Sequence, residues 1–500
     1  MSVDSSLVSQ FVDTVALVLA LLGIVPVAAG SYQSLLAAVH GLRNHYGQTA
    51  PLFPRLAVVM PAWNEGAVVG ASIDRLMQQE YPADALRIYV VDDASDDDTP
   101  EVVRRKAEQY PGRVVHLRRE RGGQGKAHTL NHGIARILAD DWAQAVLIMD
   151  ADVIFPPTVL RKLTRHLADP RVGAVTAYIT EGSRPDNYLT RFIGYEYVSA
   201  QAAARRGQNV LGVLACLAGG AQLHTRENLV AIGGRIDTST LAEDTVTTFV
   251  TQLHGRRALF EPHAVTLAEE PGTVAGLWKQ RLRWARGNFQ VTRAFSFLWF
   301  RKWRARGLGG LSFGIIWFAL LLQPFFMISS TIGLVTLFFT NPGLASTAFR
   351  AVWLVAALTF VLTTVFNLLV DPATGRRCWR EAFTFPGLGA LGLIVYAVIP
   401  EPVNEAVSAG ASWAQVVLTP AWYTAATLAI YAWPVLSLAA AWLARGCEGR
   451  PRLRGLTPVL VYLAGYGPML CAITLAAFGK QLRGADLAWD KTTKTGRALG

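Results

Sequence analysis

Between residues 51 and 290, short apolar runs alternate with stretches whose apolar positions recur every three or four residues, the pattern of repeated β–α units around a parallel sheet. The run in "RLAVVMPAWNEG" ends in Pro-x-x-Asn-Glu-Gly and leads into a helical pattern over residues 68–79, a first such unit. "ALRIYVVDDASDDDTPEVVRRKAEQY" repeats it, with a strand closing on Asp92-Asp93, a Ser/Asp-rich turn able to cap a helix, and the helix itself. "RVVHLRRERGGQGKAHTLNHGIARI" adds a strand, a glycine-rich loop and a helix, and "QAVLIMDADVIFPPTVL" adds a buried strand ending in Asp150-Ala-Asp152. These polar clusters all fall at the carboxyl ends of strands, where open α/β sheets bind their ligands.

Outside this region the apolar runs lengthen toward the roughly 20 residues that cross a bilayer. Residues 11–40 form one such run, preceded by an acidic tail free of Lys and Arg and followed by Arg43 and Arg55. That asymmetry predicts an external N-terminus and a cytosolic domain after it, and the lack of a basic n-region argues against a cleaved signal peptide. Further candidates are residues 311–340, 348–370, 384–400, 421–444 and 456–478. "TGRRCWR" and "RGCEGRPRLRG" read as cytosolic loops and the acidic "EPVNEAVSAGAS" as an external one. Five full spans would strand the basic tail outside, so 384–400, short and broken by Pro386, Gly387 and Gly389, is expected to be re-entrant or interfacial and the C-terminus cytosolic. "FSFLWFRKWRAR" mixes Phe and Trp with cations, the composition of a helix lying in the membrane interface or of the basic end of the next span. The expected organisation is an N-terminal transmembrane helix in 1–45, a cytosolic domain in 51–290, an interfacial helix in 291–310, a transmembrane bundle in 311–480 and a cytosolic tail in 481–500.

Composition agrees with two kinds of region. A 500-residue chain that is 52% hydrophobic and 17% charged is too apolar for one soluble domain and too charged to be membrane-embedded throughout. The net charge of +11 raises nucleic acid as a partner, but the basic residues flank apolar segments rather than forming a stripe with interleaved aromatics, which excludes that class. Cys216, Cys378, Cys447 and Cys471 are widely separated, which gives neither a disulfide framework nor a zinc site and suits a reducing cytosol.

Four clusters carry candidate chemistry. Asp150 and Asp152 at a strand end set two carboxylates at the mouth of a cleft, where a hard divalent cation, Mg²⁺ or Mn²⁺, offsets their repulsion; a solvated surface pair is the bland alternative. In "GGQGKAH" the three glycines let backbone amides approach a phosphate or ribose and Lys126 adds charge, although the spacing is not that of a Walker loop. Glu243-Asp244 opens a helical pattern, where acidic residues complement the helix dipole or, alternatively, supply a general base. In "GLWKQRLRWARGNFQ" a membrane-flanking basic helix explains the arginines but neither Gln280 nor Trp284.

Taken in order and spacing, "VVMPAWNEG", "VVDDASDDDT", "GGQGKAHTLNHG", "IMDADV", "AEDT" and "QRLRW" resemble the family 2 glycosyltransferases of the processive membrane synthase kind, the makers of cellulose, hyaluronan and chitin. "RVGAVTA", "FEPHAVTLAEEPGTVAGLWKQRLRWARG" and "AIGG" draw the likeness toward the poly-N-acetylglucosamine synthases. The resemblance covers about half the chain, residues 51–300. It implies a glycosyltransferase A-type, Rossmann-like α/β domain inserted between transmembrane helices, so a mixed α/β domain plus a helical membrane bundle. The implied activity is inverting, metal-dependent transfer from a UDP-sugar to the end of a growing β-linked polysaccharide that is passed across the inner membrane. A non-processive transferase acting on a lipid acceptor is the alternative, and a transport or scaffold protein with a degenerate transferase domain is disfavoured because the expected carboxylates are present.

The resemblance also distributes roles. Asp92 and Asp93 would hold uracil and ribose, with Pro61, Asn64, Glu65 and Lys126 around the nucleotide, Asp150 near the donor and Asp152 on the Mg²⁺ or Mn²⁺ ion. Asp244, beside Glu243, would be the general base; Gln280, Arg281 and Arg283 would contact the diphosphate; Trp284 would stack on the acceptor sugar. Gly219-Gly220 stands where relatives carry Ser-Gly in an acceptor-contacting loop, and Trp489, Lys491 and Arg497 in the tail would close over the nucleotide. The implied partners are the UDP-sugar, the polymer and the bilayer, with room for a small accessory membrane subunit.

Overall fold

The computed structural model describes residues 5–43, 49–303, 305, 307–415, 417–485, 496 and 498. Contacts divide the chain into two compact units, residues 1–34 with 315–479, and residues 35–314 with 480–500.

The second unit is built on one sheet of eight strands, β1 (Leu56–Ala62), β2 (Leu86–Asp92), β3 (Val114–Arg118), β4 (Ala145–Met149), β5 (Val153–Ile154), β6 (Val172–Glu181), β7 (Ala221–Thr225) and β8 (Arg257–Ala268). Their order is β3-β2-β1-β4-β7-β6-β8-β5. β3, β2, β1 and β4 run parallel, as the repeated β–α pattern predicts. Residues of β1, β2 and β4 are almost all buried, because helices cover both faces of the sheet. On one face the helix Lys126–Ala139 lays Leu130, Ile134 and Ile137 against Val59, Val91 and Ile148. β7 then pairs antiparallel with β4 and with β6, so the direction of the sheet reverses beside the strand that ends in the Asp-Ala-Asp turn.

Beneath that reversal lies a buried polar group. His224 on β7 has no exposed surface; its ring contacts the Gln222 side chain at 3.2 Å and that of Asn228 at 3.2 Å, and Asn228 in turn donates to Thr251. A packed core disfavours an imidazolium without a counter-charge.

One expectation needs correction here. The interfacial helix expected over 291–310 is not formed: the helix Val274–Ala294 ends at Ala294 and residues 295–300 are turns. Phe295 and Trp299 face inward, their rings centred 5.1 and 6.1 Å from that of Phe249, while Phe297 and Phe300 stay exposed. Burying Phe295 and Trp299 against a partner ring outcompetes the amphipathic pattern read from composition.

The expected N-terminal span is one apolar run, Ser6–Leu42, in which a short turn at residues 22–23 separates the helices Ser5–Leu21 and Ile24–Leu42. The stretch 311–340 breaks at Leu322 into Leu311–Leu321 and Gln323–Thr340, where Pro324 starts a new helix. Residues 342–370 form one helix, Pro342–Val370. The remaining apolar runs are bent pairs: Pro372–Phe383 with Leu388–Val398 at 73°, Pro420–Tyr431 with Trp433–Glu448 at 75°, and Leu456–Ala464 with Tyr466–Leu482 at 94°. Two of the bends meet. Gly387 and Gly465 both have positive φ, and a Cβ on either would fall within about 2.5 Å of the backbone of the other bend. "EPVNEAVSAGAS" is itself helical, within Pro400–Trp413, with no buried residue. Among the described residues three helices are long and apolar enough to cross a bilayer, or up to six if each bent pair counts once, which marks a membrane protein.

The polar core under β7 makes a pH prediction. Burial pushes the His224 pKa down, to about 4. The folded state then binds fewer protons than the unfolded state between about pH 4 and 6.5, so stability is intact above that window and falls on acidification by about 3 kcal/mol. Thermal unfolding of the purified protein at pH 7 and pH 4.5 should show this loss, and His224→Gln should flatten it; an unchanged acid slope in the variant would assign the loss to other groups.

Candidate active site

The loops after β1, β2, β3 and β4 and the loop before β7 open onto one cavity of about 380 Å³, closed on its far side by the helix Val274–Ala294. The nucleotide-side loops are held by their own acidic residues. Asp92 is fully buried and does not line the cavity: its Oδ1 accepts from the Ser95 amide at 2.9 Å and its Oδ2 lies 3.2 Å from Arg118. Burial opposes its charge, but hydrogen bonds from His116 and Ser95 and the Arg118 charge hold its carboxyl below the usual range. Asn64, in the left-handed region at φ 53°, clips the neighbouring loop by donating from Nδ2 to Asp96 at 2.6 Å and accepting from the Asp96 amide at 3.1 Å. Both residues shape the rim, while Pro61, Glu65 and Asp93 line the space.

Asp93 joins the second and third loops. It pairs with Arg119 and accepts from the Gly123 amide at 2.9 Å. A Cβ at Gly122 would stand 2.0 Å from the carbonyl oxygen of Asp93, so this approach requires glycine there. The loop delivers Lys126 to the cavity as the first residue of its helix.

Lys126 is the charge centre of the site. Its Nζ lies 2.5 Å from Asp150 Oδ1 and donates to the Gly219 carbonyl at 3.0 Å. Burial works to lower its pKa, but the charges of Asp150, Glu243 and Asp244 outweigh it and raise the ammonium above its ordinary value. Across from it, burial reinforced by the Asp244 charge raises the Glu243 carboxyl, against the pull of Lys126 and Arg283. Asp244 accepts from the amides of Gly219 at 3.1 Å and Thr245 at 2.7 Å, which fixes its carboxylate at the mouth of the helix Glu243–Leu253. Gly219 has little room for anything larger, since a Cβ would sit 3.1 Å from Asp244 Oδ2 and 3.2 Å from Lys126 Nζ. A serine here would press on both groups.

Asp150, Asp152 and Gly220 complete this wall. No cluster of three or more possible metal ligands occurs among the described residues. Two hard oxygen donors of which one is tied to Lys126 make an incomplete set, the kind that suits Mg²⁺ or Mn²⁺ taking its other ligands from phosphate oxygens and water.

The long helix presents Gln280, Arg283, Trp284 and Asn288 to the cavity. Arg283 Nε is buried with no hydrogen-bond partner among the described residues. Gln280 donates to Glu270 at 3.1 Å, and Glu270 accepts from the Tyr197 hydroxyl. Arg281 is placed elsewhere, paired with Glu196 and absent from the described lining. Trp489, Lys491 and Arg497 lie outside the described residues.

Several lining residues escaped the sequence reading: Trp63, Tyr197, Gln201, Arg205, Cys216 and Glu270. Tyr197, Gln201 and Arg205 come from one helical stretch that passes through a π-helical segment at Val198–Ala203. Their spacing of four residues is a polar stripe on an otherwise buried helix, and that was the available signal. Cys216 carried none.

Residues 54–287 match the family model described as "Glycosyltransferase like family 2". "Probable glycosyltransferase YdaM" of Bacillus subtilis is 29% identical over 323 residues, 64% of this chain and 75% of that protein. "Beta-monoglucosyldiacylglycerol synthase" of Synechocystis is 30% identical over 48% of each chain. "Poly-beta-1,6-N-acetyl-D-glucosamine synthase" of Staphylococcus aureus is 28% identical over 47% of this chain and 55% of its own length. The chain thus spans about half the length of the latter two. Among solved structures, the mannosyltransferase PcManGT of Pyrobaculum calidifontis, in complex with GDP-Man and Mn²⁺, aligns with a TM-score of 0.53 and 23% identity, over 74% of this chain and 99% of that one. The fold is therefore of the glycosyltransferase A type.

Removing the central cation tests this charge arrangement. Lys126→Met should destabilise the protein near pH 7 by about 2 kcal/mol, below the ~3–5 kcal/mol of a fully buried pair because the Asp150 side chain is 35% exposed. The difference from the parent should shrink on acidification as the Glu243 carboxyl, raised by burial, takes up a proton. Melting curves from pH 7 downward check it; a difference that stays constant with pH would reduce Lys126 to a packing role.

Proposed function

From the premise that the chain carries a family 2 glycosyltransferase domain, we propose that it transfers a sugar from a UDP-sugar to the end of a growing β-linked polysaccharide, with inversion at the anomeric carbon. The observation that carries the reading is one cavity in which an anchored carboxylate, Asp244, stands beside a lysine, an arginine with an unmet donor and an indole.

Each group has a task that its surroundings suit. Asp93, fixed by Arg119 and the Gly123 amide, offers a preorganised acceptor edge to the nucleoside. Lys126 and Arg283 neutralise the charge that builds on the departing diphosphate, the guanidinium by paired donors and the ammonium as a point charge. Asp150 and Asp152 would hold Mg²⁺ or Mn²⁺, which supplies further charge neutralisation to the diphosphate. Trp284 gives the terminal acceptor sugar a flat apolar face. Asp244 takes the proton of the acceptor hydroxyl as its oxygen bonds to the anomeric carbon from the side opposite the diphosphate. The bond from that carbon to the phosphate oxygen breaks with its electron pair, and UDP leaves; an α-linked donor gives a β-linked product.

The amides of Gly219 and Thr245 fix the Asp244 carboxylate by hydrogen bonds, while burial and the Asp244 charge raise the Glu243 carboxyl next to it. The apolar helices support a multi-pass membrane enzyme with its catalytic domain in the cytosol and export of the product through the helical unit. A lipid acceptor is the second reading, favoured by the likeness to a diacylglycerol glycolipid synthase.

The test is UDP release by the protein reconstituted in membranes with Mn²⁺ or Mg²⁺, offered UDP-glucose, UDP-N-acetylglucosamine and UDP-glucuronate, with products sized and digested by linkage-specific hydrolases. Long polymer from one donor is expected. Asp244→Asn should lower kcat about 10²–10⁴-fold, and chelation of divalent cations should abolish turnover until Mn²⁺ or Mg²⁺ is restored. Single-sugar lipid products would favour the second reading, and no release from any donor would sink both.

A further inference from the structure

The two arginines of the Gln-Arg-Leu-Arg-Trp cluster are not equivalent. Successive residues of an α-helix are turned by about 100°, so Arg281 and Arg283 point to sides of the helix about 160° apart. Gln280, Arg283 and Trp284, related by three and four residues, share the face that lines the cavity. Arg281 leaves from another side. Only 5% of its side chain is exposed, and its guanidinium is committed to Glu196, Nε to Oε1 at 3.0 Å and Nη2 to Oε2 at 2.8 Å, a two-pronged pair.

The same guanidinium lies over the Trp284 ring, 3.9 Å from its centre, and also donates to Gln280 Oε1. One indole face is thereby covered by a cation that a carboxylate holds in place, while the residue still contributes to the cavity wall. An exposed tryptophan on a helix would sample several rotamers and lose that freedom on binding; the Glu196–Arg281 pair removes it beforehand.

We propose that Arg281 is a positioning residue for the acceptor platform: with Glu196 it backs the Trp284 indole and fixes the face that receives the terminal sugar, and it does not bind the donor diphosphate. The assignment rests on the glycosyltransferase reading of this cavity. It divides the cluster into a donor half, Arg283, and an acceptor half, the Glu196–Arg281–Trp284 stack. It also makes Glu196, from the helix Tyr188–Tyr197, part of acceptor recognition.

The experiment is kinetic and uses the full-length reconstituted protein. Arg281→Gln and Glu196→Gln should keep UDP affinity, measured by calorimetry, and donor KM within about twofold of the parent, while the acceptor-dependent rate falls about tenfold. Arg283→Gln should instead lose UDP affinity about tenfold. Because Arg281 acts through the indole, Arg281→Gln in a Trp284→Ala background should cost less than twofold more. A tenfold loss of UDP affinity in Arg281→Gln, or fully multiplicative losses in the double variant, would overturn the assignment. If Arg281→Gln does not fold, Arg281→Lys keeps a cation but not the two-pronged fork, and should show the acceptor loss alone. A parent that releases UDP yet gains nothing from added oligosaccharide would overturn the acceptor platform while leaving the transferase reading standing. A parent that releases no UDP from any donor would remove both.

Discussion

The site depends on one electrostatic constraint: Asp150, Glu243 and Asp244 converge on a single ammonium group. Lys126 Nζ touches Asp150 and is held above its ordinary pKa by all three charges despite burial. Three carboxylates cannot share so small a space without a counter-charge, a proton, or both. The raised Glu243 carboxyl supplies one relief and Lys126 the other. Much nearby architecture follows from keeping that lysine in place. Its helix starts just after Gly125, the preceding loop is tied to Asp93, and the Gly219 carbonyl fixes the ammonium from the far side. A Cβ at Gly219 would stand 3.1 Å from Asp244 Oδ2 and 3.2 Å from Lys126 Nζ, so a larger residue there would require both side chains to shift by a few tenths of an ångström.

A second constraint is helical periodicity. The helix Val274–Ala294 has one face on the cavity and others packed into the unit, so its residue types are legible only when read by angle. Gln280, Arg283, Trp284 and Asn288 follow the three-and-four spacing of a single face. Further along, Gln290 accepts from the Leu241 amide at 2.9 Å, which anchors the loop leading to Glu243-Asp244 on the same helix. Gly287 lets that loop come close, since a Cβ there would lie 2.6 Å from the Ala242 Cβ. The element that carries the aromatic platform thus also places the carboxylate opposite it.

Strands and loop chemistry were the most readable parts of the chain. The apolar runs of β1, β2 and β4 and the acidic or glycine-rich turns after them are local patterns, and local patterns survive folding. What resisted reading depended on partners distant in sequence. Asp92 and Asp93 are adjacent and chemically identical, yet one is fully enclosed by Arg118 and Ser95 while the other reaches the cavity, a difference set by β3 and its loop. Phe295 and Trp299 read as part of an amphipathic helix, but Phe249, more than 40 residues earlier, supplies them an inward partner. Apolar length alone likewise could not reveal the bends in the helical unit, which rest on Gly387 and Gly465 meeting backbone to backbone. The Tyr197, Gln201 and Arg205 stripe was visible in principle, but nothing local separates a polar stripe facing a cavity from one facing solvent.

The division of labour between neighbouring arginines bears on how such a cavity tells donor from acceptor. A diphosphate needs guanidinium donors that are unspent, and Arg283, with a buried Nε lacking a partner, meets that need. A neutral sugar presents C–H faces and scattered hydroxyls, so it is bound best by a fixed aromatic plane with few competing charges. Committing Arg281 to Glu196 and Gln280 serves the second purpose: it keeps a cation next to the indole and spends its donors within the protein. If both arginines were open, the donor's charge would compete for the acceptor surface, and the two halves of the cavity would lose their separate preferences. The pairing with Glu196 is what keeps those preferences apart.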